Sequence, residues 1–304
     1  MIKKVIALVA LLFAFAGANE NILVYKVENK NHAISAETIA EGLSKNGYVV
    51  AKNQDMNGPY KIQFGESTFH SYNLMSVYHA DFASKAIAKS ASAGIFAPFS
   101  IGVYQRNGED DLYLAILSGA AEQRILNVQD KSYDEFQALS AKTIESILPN
   151  AKISALDYAS TKTDKDFYTK YSFEVEDEDA QEGYEGMMMM MRGNMKTAGF
   201  VVANYIDFNE VLKENGVEDY EFFHSFSLCK LKIIYELSKK TPEAGSFAPC
   251  TMVIYHKKGS DKTEIVSLNI NGLISMLALK DKNLVDMLDK TQAQMISIIE
   301  ESAE

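Results

Sequence analysis

Along the chain the apolar positions switch between a period near 3.6 and a period of two, so short helices alternate with strands. Ile22 to Val27 is a β-rich run. Ser35 then stands at a helix N-cap position ahead of Ile39 and Leu43 at helical spacing, and Gly47 is the stop, where a left-handed residue ends a helix at little cost. Tyr48 to Lys52 and Tyr60 to Phe64 predict strands around the turn Asn57-Gly58-Pro59, and Phe69 to Val77 predicts a third. A helix is expected from about His79 to Ser90. Ala97 to Tyr104 and Leu112 to Leu117 alternate around Asn107-Gly108, which is a hairpin signal. A last helix, Tyr133 to Ile147, places Phe136, Leu139, Ser140, Thr143, Ile144 and Ile147 on one face and ends before Pro149.

The same order follows again. Tyr171 to Val175 predicts a strand, Met187 to Ala198 a helix stopped by Gly199, and Phe200 to Asn204 a strand. Phe222 to Leu228, a helix to about Lys240, Ala248 to Tyr255, Glu264 to Leu268 and a helix from Asn283 to Glu300 complete the series. A phrase is repeated with the elements. Residues 93 to 108 read AGIFAPFSIGVYQRNG and residues 244 to 259 read AGSFAPCTMVIYHKKG, 151 residues apart, while Gly199 and Gly47 lie 152 apart. A period that long predicts two copies of a whole domain rather than an array of small units. Strands outnumber helices and most connections are hairpin-like, so each copy is expected to be α+β with a mainly antiparallel sheet. The expected organisation is 19–151 and 167–304 as two similar domains, with 152–166, rich in Lys, Thr, Ser and Asp, as a linker.

The second copy carries Gly199-Phe200-Val201-Val202 after a helix, Leu228-Cys229 before a helix, and Pro249-Cys250 opening a strand that ends in Val253-Ile254-Tyr255. In these features it resembles the family catalogued as domain of unknown function 302. The first copy resembles it more weakly, through Gly47-Tyr48-Val49-Val50 and Ala97-Pro98-Phe99 with Val103-Tyr104. The resemblance implies a curved antiparallel sheet backed by helices, like the TATA-box-binding protein in topology. It implies no established reaction, and shared topology does not carry DNA binding with it.

The first eighteen residues have the zones of an export signal: Lys3 and Lys4, an apolar run from Val5 to Phe15, and Ala16-Gly17-Ala18 as a cleavage site. Cleavage after Ala18 would take the formal charge from −11 to −13. The expected product is an exported, periplasmic protein with no transmembrane anchor, because the apolar run is shorter than the roughly 20 residues a span requires. An acidic chain without a Lys/Arg cluster argues against nucleic acid as a partner. Hydrophobic residues make up 47% of the chain, enough for two cores.

Candidate chemistry is confined to the second copy. Cys229 and Cys250 are the only cysteines, and 151 residues earlier stand Tyr78 and Phe99. Cys250 shares a strand face with Met252 and Ile254, which predicts an apolar setting and an inert thiol. With Ser227 as N-cap, Cys229 would lie in the first turn of a helix, where free N–H groups favour thiolate. Whether the pair forms a disulfide stays open: a parallel crossover would put them at opposite sheet edges, whereas a returning loop from Thr241 to Phe247 would let them meet.

Thioethers suit Cu(I), which makes Met187, Met191 and Met195 weak candidates for copper, although Met188, Met191 and Met195 also fall on the face that Ala36, Ile39 and Leu43 occupy in the first copy. No other cofactor is expected. The five His residues do not cluster by spacing, and Glu176-Asp177-Glu178-Asp179 reads as a solvated loop. The leading functional expectation is non-enzymatic binding of a small molecule or an envelope protein, in the cleft between the copies or near Cys229. The alternative is a thiol-dependent redox or metal-handling protein using Cys229 and Cys250.

Overall fold

The computed structural model describes residues 20–154, 156–174 and 180–303. The proposed signal segment and the acidic run from Glu176 to Asp179 lie outside the described residues. The fold is α+β, with two antiparallel sheets backed by helices.

The first sheet is built from β1 (Ile22–Glu28), β2 (Val49–Asp55), β3 (Phe69–Tyr78), β4 (Phe99–Arg106), β5 (Asp111–Leu117) and β6 (Lys152–Ser154), in the order β2-β3-β4-β5-β1-β6. The second is built from β7 (Tyr168–Glu174), β8 (Val201–Asp207), β9 (Tyr220–Cys229), β10 (Cys250–Lys257) and β11 (Lys262–Leu268), in the order β7-β11-β10-β9-β8. Apart from β6, the two orders are the same when read from opposite ends. Between the strands run α1 (Ala36–Lys45), α2 (Asn57–Phe64), α3 (Ala80–Lys89), α4 (Gly119–Leu126), α5 (Lys131–Ile147), α6 (Ala180–Thr197), α7 (Asn209–Glu214), α8 (Leu231–Lys240), α9 (Ile270–Met276) and α10 (Lys282–Ala303).

Period-two alternation sorts the strand side chains onto two faces. Tyr25, Met75, Val77, Ile101 and Val103 pack under α1 and α5 on the outer face of the first sheet. Phe222, Phe226, Met252 and Ile254 pack under α6 and α10 on that of the second. The opposite faces supply one shared core, with Tyr72, Leu74 and Tyr104 from one sheet and Phe223, Val253 and Tyr255 from the other. Ser35 caps α1 as the sequence implies, and Gly47 and Gly199 both take positive φ, +86° and +79°.

The repeated phrase lies in this shared core. Its first six residues overlap a short 3-10 segment in each half, Ala91–Phe96 and Pro242–Ser246, followed in each by a cis Ala-Pro bond. Each segment presses on the other half's sheet. A Cβ on Gly245 would come within 2.8 Å of Gly102 Cα and 3.1 Å of Leu74, and a Cβ on Gly94 within 2.5 Å of the Phe223 ring and 3.1 Å of Val253. The polar groups reciprocate too, with Ser100 Oγ donating to Pro249 O and Thr251 Oγ1 to Pro98 O, both at 3.1 Å. These hydrogen bonds satisfy buried carbonyls that have no strand partner.

Three expectations change. Tyr60 to Phe64 is helical rather than a strand, because Asp55 accepts from the N–H groups of Asn57 and Gly58 and caps α2, and Pro59 sits in its first turn, where no N–H is required. The start of the expected linker is a strand: β6 pairs with β1, covering what would otherwise be a sheet edge. The short helices α4, α7 and α9 stand where no element was expected, with Ser118 and Asn269 capping α4 and α9. No helix of the described residues is long and apolar enough to cross a membrane.

Two stability measurements check this packing. Gly102→Val forces a side chain against the Gly245 backbone and is expected to cost about 1–3 kcal/mol in urea unfolding. Gly193→Ala, in α6 with nothing within 4 Å, is expected to gain up to about 1 kcal/mol. Glu122 is buried in α4, and burial lifts its carboxyl from 4.5 to about 8. The folded state therefore keeps a proton that the unfolded chain has lost, and stability falls as pH rises from about 4.5 to 8, by at most about 1.4 kcal/mol per unit. Glu122→Gln should flatten that slope in unfolding curves recorded between pH 5 and 8.

Candidate functional site

β9 and β10 are antiparallel neighbours, not the ends of a parallel crossover, so α8 and the 3-10 segment return the chain to the edge it left. Cys250 pairs with Leu228, and Cys229 is the next residue of β9, paired on its other side with Val201. The register brings the two cysteines to the same end of the second sheet. Both thiols are free.

They line one apolar pocket of about 100 Å³. Its walls are Phe200, Leu228, Ile233, Leu237 and Phe247, with Leu288, Thr291, Gln292 and Met295 from α10 and Ile125 reaching in from the first half. Polar groups are few. Lys230 stands at the N-cap of α8 with Nζ donating to Gln294 Oε1 at 2.7 Å and lying 4.8 Å from the Phe200 ring centroid. Gln292 Oε1 accepts from the backbone N–H of Ile270. Partial burial lowers the Lys230 ammonium pKa.

The expected place of Cys229 in the first turn of a helix is not what the structure has. Ser227 lies within β9 rather than at a cap, α8 starts at Leu231, and Cys229 is outside its first turn. Burial, with a smaller contribution from Cys250, pushes the Cys229 thiol up to about 12. Cys250 is exposed by area and also lines the apolar pocket, and desolvation pushes its thiol up to about 11.

The corresponding place in the first half is filled. Reading back 151 or 152 residues, Phe200, Lys230, Ile233 and Cys250 correspond to Tyr48, His79, Phe82 and Phe99. Phe136 of α5 stacks on Phe82 at 4.0 Å and meets Tyr48, His79 and Phe99 at centroid distances of 6.0, 6.1 and 5.8 Å. Five rings thus close the space that stays open around Cys250. The signal was present in the sequence: four corresponding positions are all aromatic in one half and only one is so in the other.

The methionine run separates by helical face. Met187, Met188, Met191 and Met195 are buried in the core beneath α6, whereas Met189 and Met190 are exposed. Among the described residues, no group of three or more His, Cys, Asp or Glu is placed to hold a metal ion.

Residues 178–302 match the family described as Domain of unknown function DUF302. The DUF302 span runs from α6 to α10 and contains both cysteines and every pocket residue except Ile125. A solved structure titled "Crystal structure of uncharacterized conserved protein DUF302 from Bacillus stearothermophilus" is similar over 45% of this chain and 98% of that one, at 18% identity and a TM-score of 0.37. No curated protein matches the chain.

The raised thiols of the DUF302 span carry a direct expectation. Alkylation of both cysteines by iodoacetamide is slow at pH 7 and accelerates about tenfold per pH unit up to pH 9 without a plateau. Cys250 should label faster than Cys229, being the more exposed residue with the lower pKa, as peptide mass spectrometry would show.

Proposed function

We propose that the chain is a binding protein rather than a thiol-dependent catalyst, and that its second half holds a small apolar molecule in the pocket around Cys229 and Cys250. The observation that carries this reading is the contrast between the halves, in which five aromatic rings fill the place that corresponds to the open pocket. A space of about 100 Å³ is comparable to cavities that accept benzene, below the range of drug-sized sites. Lys230, Thr291 and Gln292 add a polar side that would orient a ligand with one polar end. Desolvation of both thiols favours their use as apolar wall over their use as nucleophiles.

The same reading holds that the halves are two copies of one unit, the second keeping the family's cysteines and the first having lost them. Shared strand order, reciprocal Ser100/Thr251 hydrogen bonds and paired ion contacts, Lys89 with Asp130 and Lys240 with Asp281, support it. The three zones of residues 1–18 support export before the protein works.

Benzene and hexanoate, titrated into the chain and followed by thermal unfolding and NMR of the pocket methyl groups, test the binding reading. Each is expected to raise Tm in proportion to its occupancy and to shift the Ile233 and Leu288 resonances. Cys250→Phe, which restores the first half's ring, should raise Tm without ligand and abolish both responses. A response that survives Cys250→Phe, or none in the unaltered chain, would sink the assignment.

A further inference from the structure

A second hollow, of about 290 Å³, lies between the halves and is polar where the first is apolar. The end of α3 and the start of the first 3-10 segment bring Lys89, Ser90 and Ser92, and the second sheet brings Lys170, Lys257 and Lys262. Four ammonium groups so gathered are unexpected in a chain whose formal charge is −11. Two are answered locally. Lys89 Nζ lies 2.6 Å from Asp130, and Lys170 Nζ lies 2.6 Å from Glu264, which also accepts from the Tyr255 hydroxyl. Lys257 and Lys262 make no ion pair with the described residues, and the hydroxyls of Ser90 and Ser92 make no hydrogen bond to them.

The corresponding positions show that this charge is not a requirement of the scaffold. At the positions 151 residues away, Lys89 becomes Lys240 and Lys257 becomes Arg106, but Ser92 becomes Glu243, Ser260 becomes Glu109 and Lys262 becomes Asp111. Those acids have work of their own: Asp111 pairs with Lys26 at 2.7 Å, and Glu243 accepts from the Tyr104 hydroxyl. Three carboxylates, Glu109, Asp111 and Glu243, thus stand at the positions that correspond to Ser260, Lys262 and Ser92, so the excess of positive charge is particular to this groove.

We propose that the groove binds a small multivalent oxyanion, a phosphate or sulfate group, held by Lys257 and Lys262 with the Ser90 and Ser92 hydroxyls. Such a group accepts several charge-assisted hydrogen bonds at once, which matches two ammonium and two hydroxyl donors around one small space. A long polyanion is disfavoured by the acidic surface around a hollow of this size.

Calorimetric titration of the full chain with inorganic phosphate, sulfate and glucose 6-phosphate tests the site, at low and at physiological salt. Millimolar or tighter binding that weakens with salt is expected, and a tighter constant for glucose 6-phosphate than for inorganic phosphate would assign the group to an organic ligand. Lys262→Asp and Ser92→Glu each install the other half's charge and should weaken binding by about tenfold or more, while Lys290→Glu, on α10, should leave it unchanged. Unfolding curves of the variants confirm that they fold. The proposal is overturned if no anion binds in the millimolar range, or if both variants bind as the unaltered chain does. Neither result bears on the apolar pocket.

Discussion

The structure depends on a pair of backbone approaches that only glycine permits. Gly245 sits on Gly102 so closely that a methyl group on either would overlap the other's main chain, and Gly94 sits on the Phe223 ring and Val253. These contacts set the spacing at which the two sheets share one core. The two are related without being equal. One is main chain against main chain, whereas the other is main chain against a ring, because Gly102 and Tyr72 stand in the first sheet where Val253 and Phe223 stand in the second. The hydrogen bonds of Ser100 and Thr251 then fix the register, since each donates to the carbonyl of a proline in the other half, Pro249 and Pro98, that no strand supplies with a donor.

That division explains where the sequence was legible. Helices and strands with a clean period and a local cap, such as α1 behind Ser35, and the hairpin strands β4 and β5, were readable because short-range chemistry decides them. The repeated phrase was readable as repetition but not as an interface, because its meaning is a contact with the sheet of the other half. Tyr60 to Phe64 is helical rather than extended for a related reason: the carboxylate that caps it belongs to Asp55, ahead of the turn residues Asn57-Gly58-Pro59. The strand β6 was hidden by its polar composition, and it exists because β1 offers an unpaired edge.

Of the candidate site, the cysteines were legible and their environment was not. Ser227 as N-cap would put Cys229 in the first turn of α8, but the cap is Lys230, three residues later, and the helix terminus that would favour thiolate does not reach Cys229. What reached the right face was the strand alternation that put Cys250 beside Met252 and Ile254. The remaining walls come from α10 and from Ile125, elements joined to the cysteines only by tertiary packing. Position by position the halves differ in volume and charge, with rings against Cys250 and Ile233 and carboxylates against Ser92 and Lys262, differences that no single motif carries.

Both hollows arise where the halves differ, and the physical reason is the cost of change. At the glycine contacts a substitution in one half must be met by backbone movement in the other, which a packed core resists. At Phe99/Cys250 and at Asp111/Lys262 the side chain meets a space or solvent on one side, so volume or charge can change with little strain. Losing a ring removes packing but opens a space, and replacing Asp111 by a lysine removes an ion pair but leaves a cation. A scaffold with two similar halves can therefore keep one copy of each such place filled or internally paired, as a source of stability, while its counterpart is an apolar pocket or a basic groove that would cost stability if present twice.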